Sequence, residues 1–363
     1  MSELKRNIPS LDGLRAISIL LVVLSHASWN YFAVNQADMT RLGSIIQVSL
    51  LTGTVGVTVF FVISGFLITT LLLKEDKISL KRFYFRRTLR IFPPFYVYLI
   101  CMVTLRLAGF IDTPASDFVR AFTYTSNYGF HPQANNWSLA HTWSLSVEEQ
   151  FYLLFPATLV LFGRKKILLV LALVVITAPL FRLLYLQTDP ANLYFFGFET
   201  VADALAMGCI LAITRSWLHR QKFYTSVLQS PFFILMPFLA LFIAWLSHFP
   251  AYYPKSLYVV FAITMQNAAI ALCLDWSITN SGSLVGRILN MKYVVFIGTI
   301  SYSLYLWQQP VFSTSLELPL FVKIIAAFGL AMISYYLVEK PSLRLRKYLE
   351  GKYMKPDLGQ ANR

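Results

Sequence analysis

Leu11 to Ala27, LDGLRAISILLVVLSHA, holds a guanidinium at Arg15 and an imidazole at His26 inside one apolar run. Ten residues separate the two. At about 1.5 Å of rise per helical residue they lie roughly 16 Å apart, about half of a hydrocarbon layer roughly 30 Å thick. If Arg15 marks the inner surface, His26 sits near mid-membrane. A titratable group at that depth is expensive unless it faces a polar cavity or has partners, so a functional role is the default expectation. A cleaved leader fits less well. Lys5 and Arg6 do precede the run, but Arg15 and His26 interrupt it, and Trp29, Tyr31 and Phe32 follow in place of a clear small-residue cleavage site.

The rest of the chain extends the membrane reading. Of 363 residues, 57% are hydrophobic and only 13% charged, a balance foreign to soluble domains of this length. Apolar stretches near 20 residues long fall at about 14–34, 51–73, 91–110, 144–162, 167–186, 196–214, 228–248, 256–274, 293–311 and 320–338. The expected fold is therefore all-α, a polytopic bundle of ten transmembrane helices. An even number of spans leaves both termini on one side. Most of the 31 Lys and Arg residues fall on that side, in the 74–90 connection and from Lys340 onward above all, so both termini are expected in the cytoplasm. Residues 1–341 form the expected transmembrane domain and 342–363 a basic cytoplasmic tail. The net charge of +14 is mainly a topology signal, with anionic lipid headgroups a secondary partner, and nucleic acid binding is not expected. Cys101, Cys209 and Cys273 lie in expected spans without metal-ligand spacing and read as small apolar residues; no metal is expected.

Several polar groups interrupt the apolar pattern. In the second span Gly53, Gly56, Ser64 and Gly65 suit close helix packing, with packing beside a substrate tunnel as the functional version. In KISLKRFYFRRTLRIFPP, Arg87 and Arg90 are three apart, share a helix face, and suit one phosphate group; Pro93 and Pro94 permit a helix start or kink there. Part of that basic charge is expected from topology alone. HTWSLSVEEQFYLLFP puts Glu148 and Glu149 near the outer end of the fourth span, either as a helix N-terminal preference or with one of them turned to a cavity. Glu199 and Asp203 are four apart in the sixth span, and Arg182 is a candidate ion-pair partner for a carboxylate at that depth. The ninth span carries a stripe of Ser301, Tyr305 and Gln308 or Gln309, readable as interhelical hydrogen bonding. His131 and His141 read as interfacial, and His219 and His248 as helix-end residues.

Together, LDGLRAISILLVVLSHA, FFVISGFLIT, RRTLRIFPP, WSLSVEEQFYLLFP, ADALAMGC, SYSLYLWQQP and LVEKP resemble the ordered signature blocks of the acyltransferase-3 family of integral membrane O-acyltransferases. The blocks run from residue 11 to residue 341. The resemblance implies about ten helices and transfer of an acyl group, usually acetyl from cytoplasmic acetyl-CoA, to a hydroxyl of an extracytoplasmic or lipid-linked saccharide. That chemistry belongs in a bacterial cytoplasmic membrane. Arg15 and His26 match the family's arginine, ten residues, histidine motif; Arg87 and Arg90 match its paired arginines, associated with the donor. Glu148, Asp203 and Ser301 fall in matching blocks as further catalytic candidates. Many relatives carry His after the YLW tripeptide, where this chain has Gln308 and Gln309, so a second histidine at that point is absent. Some relatives continue into an extracytoplasmic domain; a standalone enzyme or a separate extracytoplasmic partner is the expectation for 363 residues.

The residues permit a mechanism in which Arg87 and Arg90 hold the donor's phosphates, its thioester arm rises through the protein, and His26 activates the acceptor hydroxyl or briefly takes the acyl group. Glu148 or Asp203 would orient the imidazole or the sugar, and Trp137 and Trp143 would stack on sugar rings. A proton-coupled transporter built on His26 and buried carboxylates is the alternative, although it gives no special reason for paired inner arginines. A noncatalytic scaffold is the third reading, and it predicts that variants at His26 keep their function.

Overall fold

The computed structural model describes residues 8–34, 53, 55–129, 137–188, 193–246, 258–313, 316 and 318–353. His131 and His248 lie outside the described residues. Every regular element among those described is helical. In chain order the main ones are α1 (Leu11–Val34), α2 (Val55–Leu73), α3 (Leu80–Leu107), α4 (Ala115–Phe122), α5 (Thr142–Thr188), α6 (Phe198–Leu218), α7 (Lys222–Gln229), α8 (Leu235–Leu246), α9 (Ile263–Thr279), α10 (Leu284–Leu289), α11 (Lys292–Thr299), α12 (Ser301–Val311), α13 (Leu320–Ser334) and α14 (Lys340–Tyr353).

Seven helices among the described residues are long and apolar enough to cross a membrane, or eight if the pair Lys222–Gln229 and Pro231–Leu246, bent by 64°, is one span. Local backbone explains why this count differs from the ten expected spans: Gly163 falls between the expected spans 144–162 and 167–186, which run together as α5. The 47 residues of α5 would stretch about 70 Å if straight, more than twice an apolar layer, and they are divided at Gly163 (φ 69°, ψ 171°). Only glycine takes that conformation without a Cβ penalty. The ninth expected span is broken into α11 and α12 at Ile300 (φ −89°, ψ 3°). Pro93 and Pro94, by contrast, lie inside α3, which starts earlier than its apolar run because Ser79 caps it by accepting from the Arg82 amide.

Close helix approach explains the small residues of α2. A Cβ on Gly65 would lie 2.0 Å from the Leu205 carbonyl oxygen of α6, and one on Gly208 would lie 2.0 Å from that of Val62. Backbones this near need glycine on both sides, as in membrane helix pairs held by dispersion. Gly53 and Gly56 meet α1 in the same way, against the carbonyls of Leu21 and Ser18. Packing is thus the role of these glycines, while Ser64 between them turns a hydroxyl to a cavity. Large apolar side chains such as Leu107, Leu161, Leu169 and Leu337 stay exposed on the outside of the bundle, as a lipid-facing surface requires.

One end of the bundle gathers the basic connections. Arg86 bonds Glu75 at 3.4 Å and also pairs with Glu350, and Arg164 donates to the Glu75 carbonyl at 2.8 Å. At the same end Arg215, His219 and Tyr224 converge on buried Asp275, at 2.5, 2.8 and 2.6 Å. The described part of the segment after Pro341 belongs to α14, which is helical to Tyr353 and whose Glu350 is tied to α3.

Candidate functional site

Two cavities lie one above the other inside the helices. The first, about 90 Å³, is lined by Arg15, Ser64, Arg87, Arg90, Glu148, Tyr152 and Ser301 among others. The second, about 390 Å³, is lined by His26, Trp137, His141, Trp143, Arg182, Asp203 and Asn267 among others. Val57, Phe61 and Tyr305 border both, so a thin wall of side chains separates them.

In the first cavity three guanidiniums from α1 and α3 face one carboxylate. Arg87 and Arg90 do share a lining face, as their spacing predicts, while Arg86 between them and the preceding turn is drawn away to Glu75 and Glu350. Arg87 lies over the Tyr152 ring, 4.4 Å from its centroid, and Arg15 pairs with Asp12 at 3.2 Å. Glu148 accepts from the Ser64 hydroxyl and from Tyr152 at 2.9 Å, and Tyr152 also reaches Ser64 at 3.1 Å. Glu148 therefore does not orient His26, as one sequence reading expected. α5 carries it two turns inward to the arginines, where hydroxyl donors from α2 and α5 hold it. Ser301 lies here too, away from His26. The signal for Tyr152 was present in the sequence: it stands four residues after Glu148, one turn along the same face.

In the second cavity His26 donates from Nδ1 to Gln308 Oε1 at 2.8 Å. The Gln308 amide nitrogen is itself turned to two acceptors, Gln309 Oε1 at 3.2 Å and the Tyr305 carbonyl at 3.5 Å, which fixes the oxygen toward the imidazole. With the proton on Nδ1, the neutral ring keeps the Nε2 lone pair for chemistry. The residue that departs from the expected histidine after YLW is thus the one that sets the tautomer of His26. Trp137 packs edge-on to the imidazole at 5.4 Å, stacks on Trp29 at 6.4 Å, and donates from Nε1 to the Gln309 carbonyl at 2.8 Å. Trp143 also lines this cavity, edge-on to Phe61 and Phe196.

Asp203 belongs to the second cavity but its carboxylate is committed. Arg182 meets it at 2.5 Å as a close ion contact, and Thr264 donates to it at 3.1 Å. Arg182 in turn donates to the Thr200 carbonyl at 2.7 Å and to Thr264 at 3.0 Å. The ion pair raised from the sequence is present, and among the described residues lining this cavity it leaves no free carboxylate. His141, expected at an interface, is instead buried in the wall of this cavity. Among the described residues no group of three or more His, Cys, Asp or Glu could hold a metal ion.

Comparison with known proteins gives a consistent result. The profile of the family described as an acyltransferase domain matches residues 8–338. The chain is similar to the peptidoglycan O-acetyltransferase OatA of Listeria monocytogenes, 28% identical, over 93% of this chain and 56% of the relative. It is 32% identical to the O-acetyltransferase OatA of Staphylococcus aureus, over 93% of this chain and 57% of the relative. It is 28% identical to the putative peptidoglycan O-acetyltransferase YrhL of Bacillus subtilis, over 93% of this chain and 55% of the relative. The chain therefore spans about half the length of the curated relatives it matches. No solved structure matches it significantly.

Proposed function

The chain belongs to the acyltransferase-3 family, whose profile spans residues 8–338, and from that premise we propose that it transfers an acyl group across the wall between its two cavities. The donor is an acyl-CoA, acetyl-CoA by the activity named for its relatives, entering from the cytoplasm at the basic end. The acceptor is a hydroxyl of a cell-envelope saccharide, a peptidoglycan glycan by the same analogy, reached from the opposite side of a bacterial cytoplasmic membrane.

The observation that carries the proposal is the division of labour between the cavities, with Arg15, Arg87 and Arg90 in one and His26 in the other. Arg87 and Arg90, beside an Arg15 already paired with Asp12, suit the phosphates of a coenzyme A ester. The donor's narrow arm would enter this cavity of about 90 Å³, and its nucleotide would stay outside. The donor supplies an activated carbonyl and a thiolate leaving group. His26, protonated on Nδ1 toward Gln308, takes the acceptor hydroxyl proton on Nε2 as the oxygen attacks the thioester carbon; the C–S bond breaks, and the proton passes from Nε2 to the departing sulfur. The products are an ester and free thiol, so protons balance without another reagent.

The test uses purified protein in lipid nanodiscs with acetyl-labelled acetyl-CoA and a peptidoglycan-derived oligosaccharide. Label is expected in an ester on the sugar, with one thiol released per ester, and neither is expected from the His26→Ala protein. Saccharide movement without thiol release or label transfer would instead make the protein a transporter and end the acyl-transfer reading.

A further inference from the structure

We propose that His141 and Asn267 are the polar contacts that hold the acceptor in the second cavity, and that the unit they hold is an uncharged sugar bearing hydroxyl and acetamido groups. The inference rests on the acceptor side of the acyl-transfer reading and extends it to a substrate class and two binding residues.

His141 is only 3% exposed, and neither ring nitrogen has a hydrogen-bond partner among the described residues. Asn267, on α9, is 1% exposed, and neither its amide oxygen nor its amide nitrogen has one. Both residues line the cavity that contains His26. Buried polar side chains in native proteins are nearly always satisfied, because an unpaired one has given up water for nothing. Two such residues in the lining of one cavity, one in the turn before α5 and one on α9, mark a place where a polar ligand supplies the missing partners.

The scaffold around His141 holds the ring and leaves its nitrogens without a partner among the described residues. Its ring is gripped edge-on by Tyr98 at 5.5 Å and by Tyr305 at 5.3 Å. The Tyr305 and Ser144 hydroxyls bond each other at 2.5 Å and lie 3.2 and 3.1 Å from the His141 carbonyl, to which the one not donating to its neighbour donates. A core histidine kept for packing would have at least one nitrogen engaged by such nearby hydroxyls. Here they bond each other and the backbone instead.

The charge of the cavity selects the ligand class. Its guanidinium, Arg182, is neutralised by Asp203, so no unpaired ion among the described lining residues awaits an anionic ligand. The first cavity, by contrast, holds its cations in excess. Asn267 offers one donor and one acceptor side by side, the complement of a secondary amide, and imidazole offers one of each to hydroxyls. The volume of about 390 Å³ falls within the range of about 300–1,000 Å³ usual for small-ligand sites. Trp137 and Trp143 supply apolar faces of the kind that sugar rings cover.

The experiment uses the full chain in nanodiscs and radiolabelled tetra-N-acetylchitotetraose as the probe, measured by saturation binding. Saturable binding is expected, about tenfold weaker for His141→Ala and for Asn267→Ala, with partial recovery in His141→Gln. Acetyl-CoA binding, read separately, should be unchanged in all three and serves as the check on folding. A photoreactive derivative of the same oligosaccharide, used on the unaltered protein, should label peptides containing His141 and Asn267 in a manner competed by unlabelled probe. Absence of saturable binding, equal affinity in the variants, or competed labelling confined to other peptides would each overturn the assignment. Because acetyl transfer to any acceptor is measured apart from this binding, a protein that transfers acetyl but fails here would lose only the acceptor site proposed above.

Discussion

Arg15 and His26 stand on one face of α1, about 20° from alignment after eleven residues and roughly 16 Å apart, and they open onto different cavities. A single helix thus ties the cationic mouth to the imidazole. The parallel arrangement on α12 runs Ser301, Tyr305, Gln308: the first faces the inner cavity, the second the shared wall, the third His26. Two rigid elements with matched polar stripes fix the distance over which an acyl group would travel.

Replacing His26 by Ala should lower acetyl transfer by at least about 10²-fold while detergent-extracted protein elutes unchanged, since general-base contributions are of that order or larger. Labelled-acetyl transfer in nanodiscs measures it. Retained activity would return His26 to a packing role.

Gln308→Leu should lower the maximal rate about tenfold or more with little change in donor affinity, because His26 Nδ1 loses its acceptor and with it the tautomer that exposes Nε2. Gln308→Glu keeps an acceptor in place and should recover part of the rate. Steady-state kinetics resolving kcat from KM separates this from a general loss of folding.

Arg87→Ala and Arg90→Ala should each weaken acetyl-CoA binding about 10- to 100-fold, the range for a lost charge-assisted hydrogen bond, and the remaining affinity should fall less steeply with salt. Isothermal titration at two ionic strengths checks both. Loss of membrane insertion with unaltered affinity of the inserted fraction would make these residues topology signals alone.

Breaking the buried ion pair with Arg182→Met or Asp203→Leu should destabilise the protein by about 3–5 kcal/mol, whereas the double variant should recover most of that loss. A double-mutant cycle on reversible unfolding in detergent gives the coupling. Additive losses would show that the two charges do not depend on one another.

Gly65→Leu should prevent α2 and α6 from meeting, because even the first side-chain carbon would lie 2.0 Å from a backbone oxygen that cannot move aside. The expected readout is loss of monodisperse protein on size exclusion, more severe than for the same change at Gly329, where nothing lies within 4 Å.

The helical class, the membrane-spanning character and the shared face of Arg87 and Arg90 were legible in the residues alone, whereas ten spans were expected and seven or eight helices among the described residues are long and apolar enough to cross. Hydrophobic run length and helical periodicity are local properties, and three-residue spacing places two side chains on one face whatever surrounds them. Family resemblance added the acyltransferase assignment through the order of its blocks. Tertiary structure alone decided which polar groups share a space. Glu148 joined the arginines, Asp203 was consumed by Arg182, Gln308 became the partner of His26, and His141 moved from an expected interface to a cavity wall. These outcomes depend on helix depth and rotation relative to neighbours distant in sequence. Such contacts follow from packing across the bundle, which no local pattern of residues encodes.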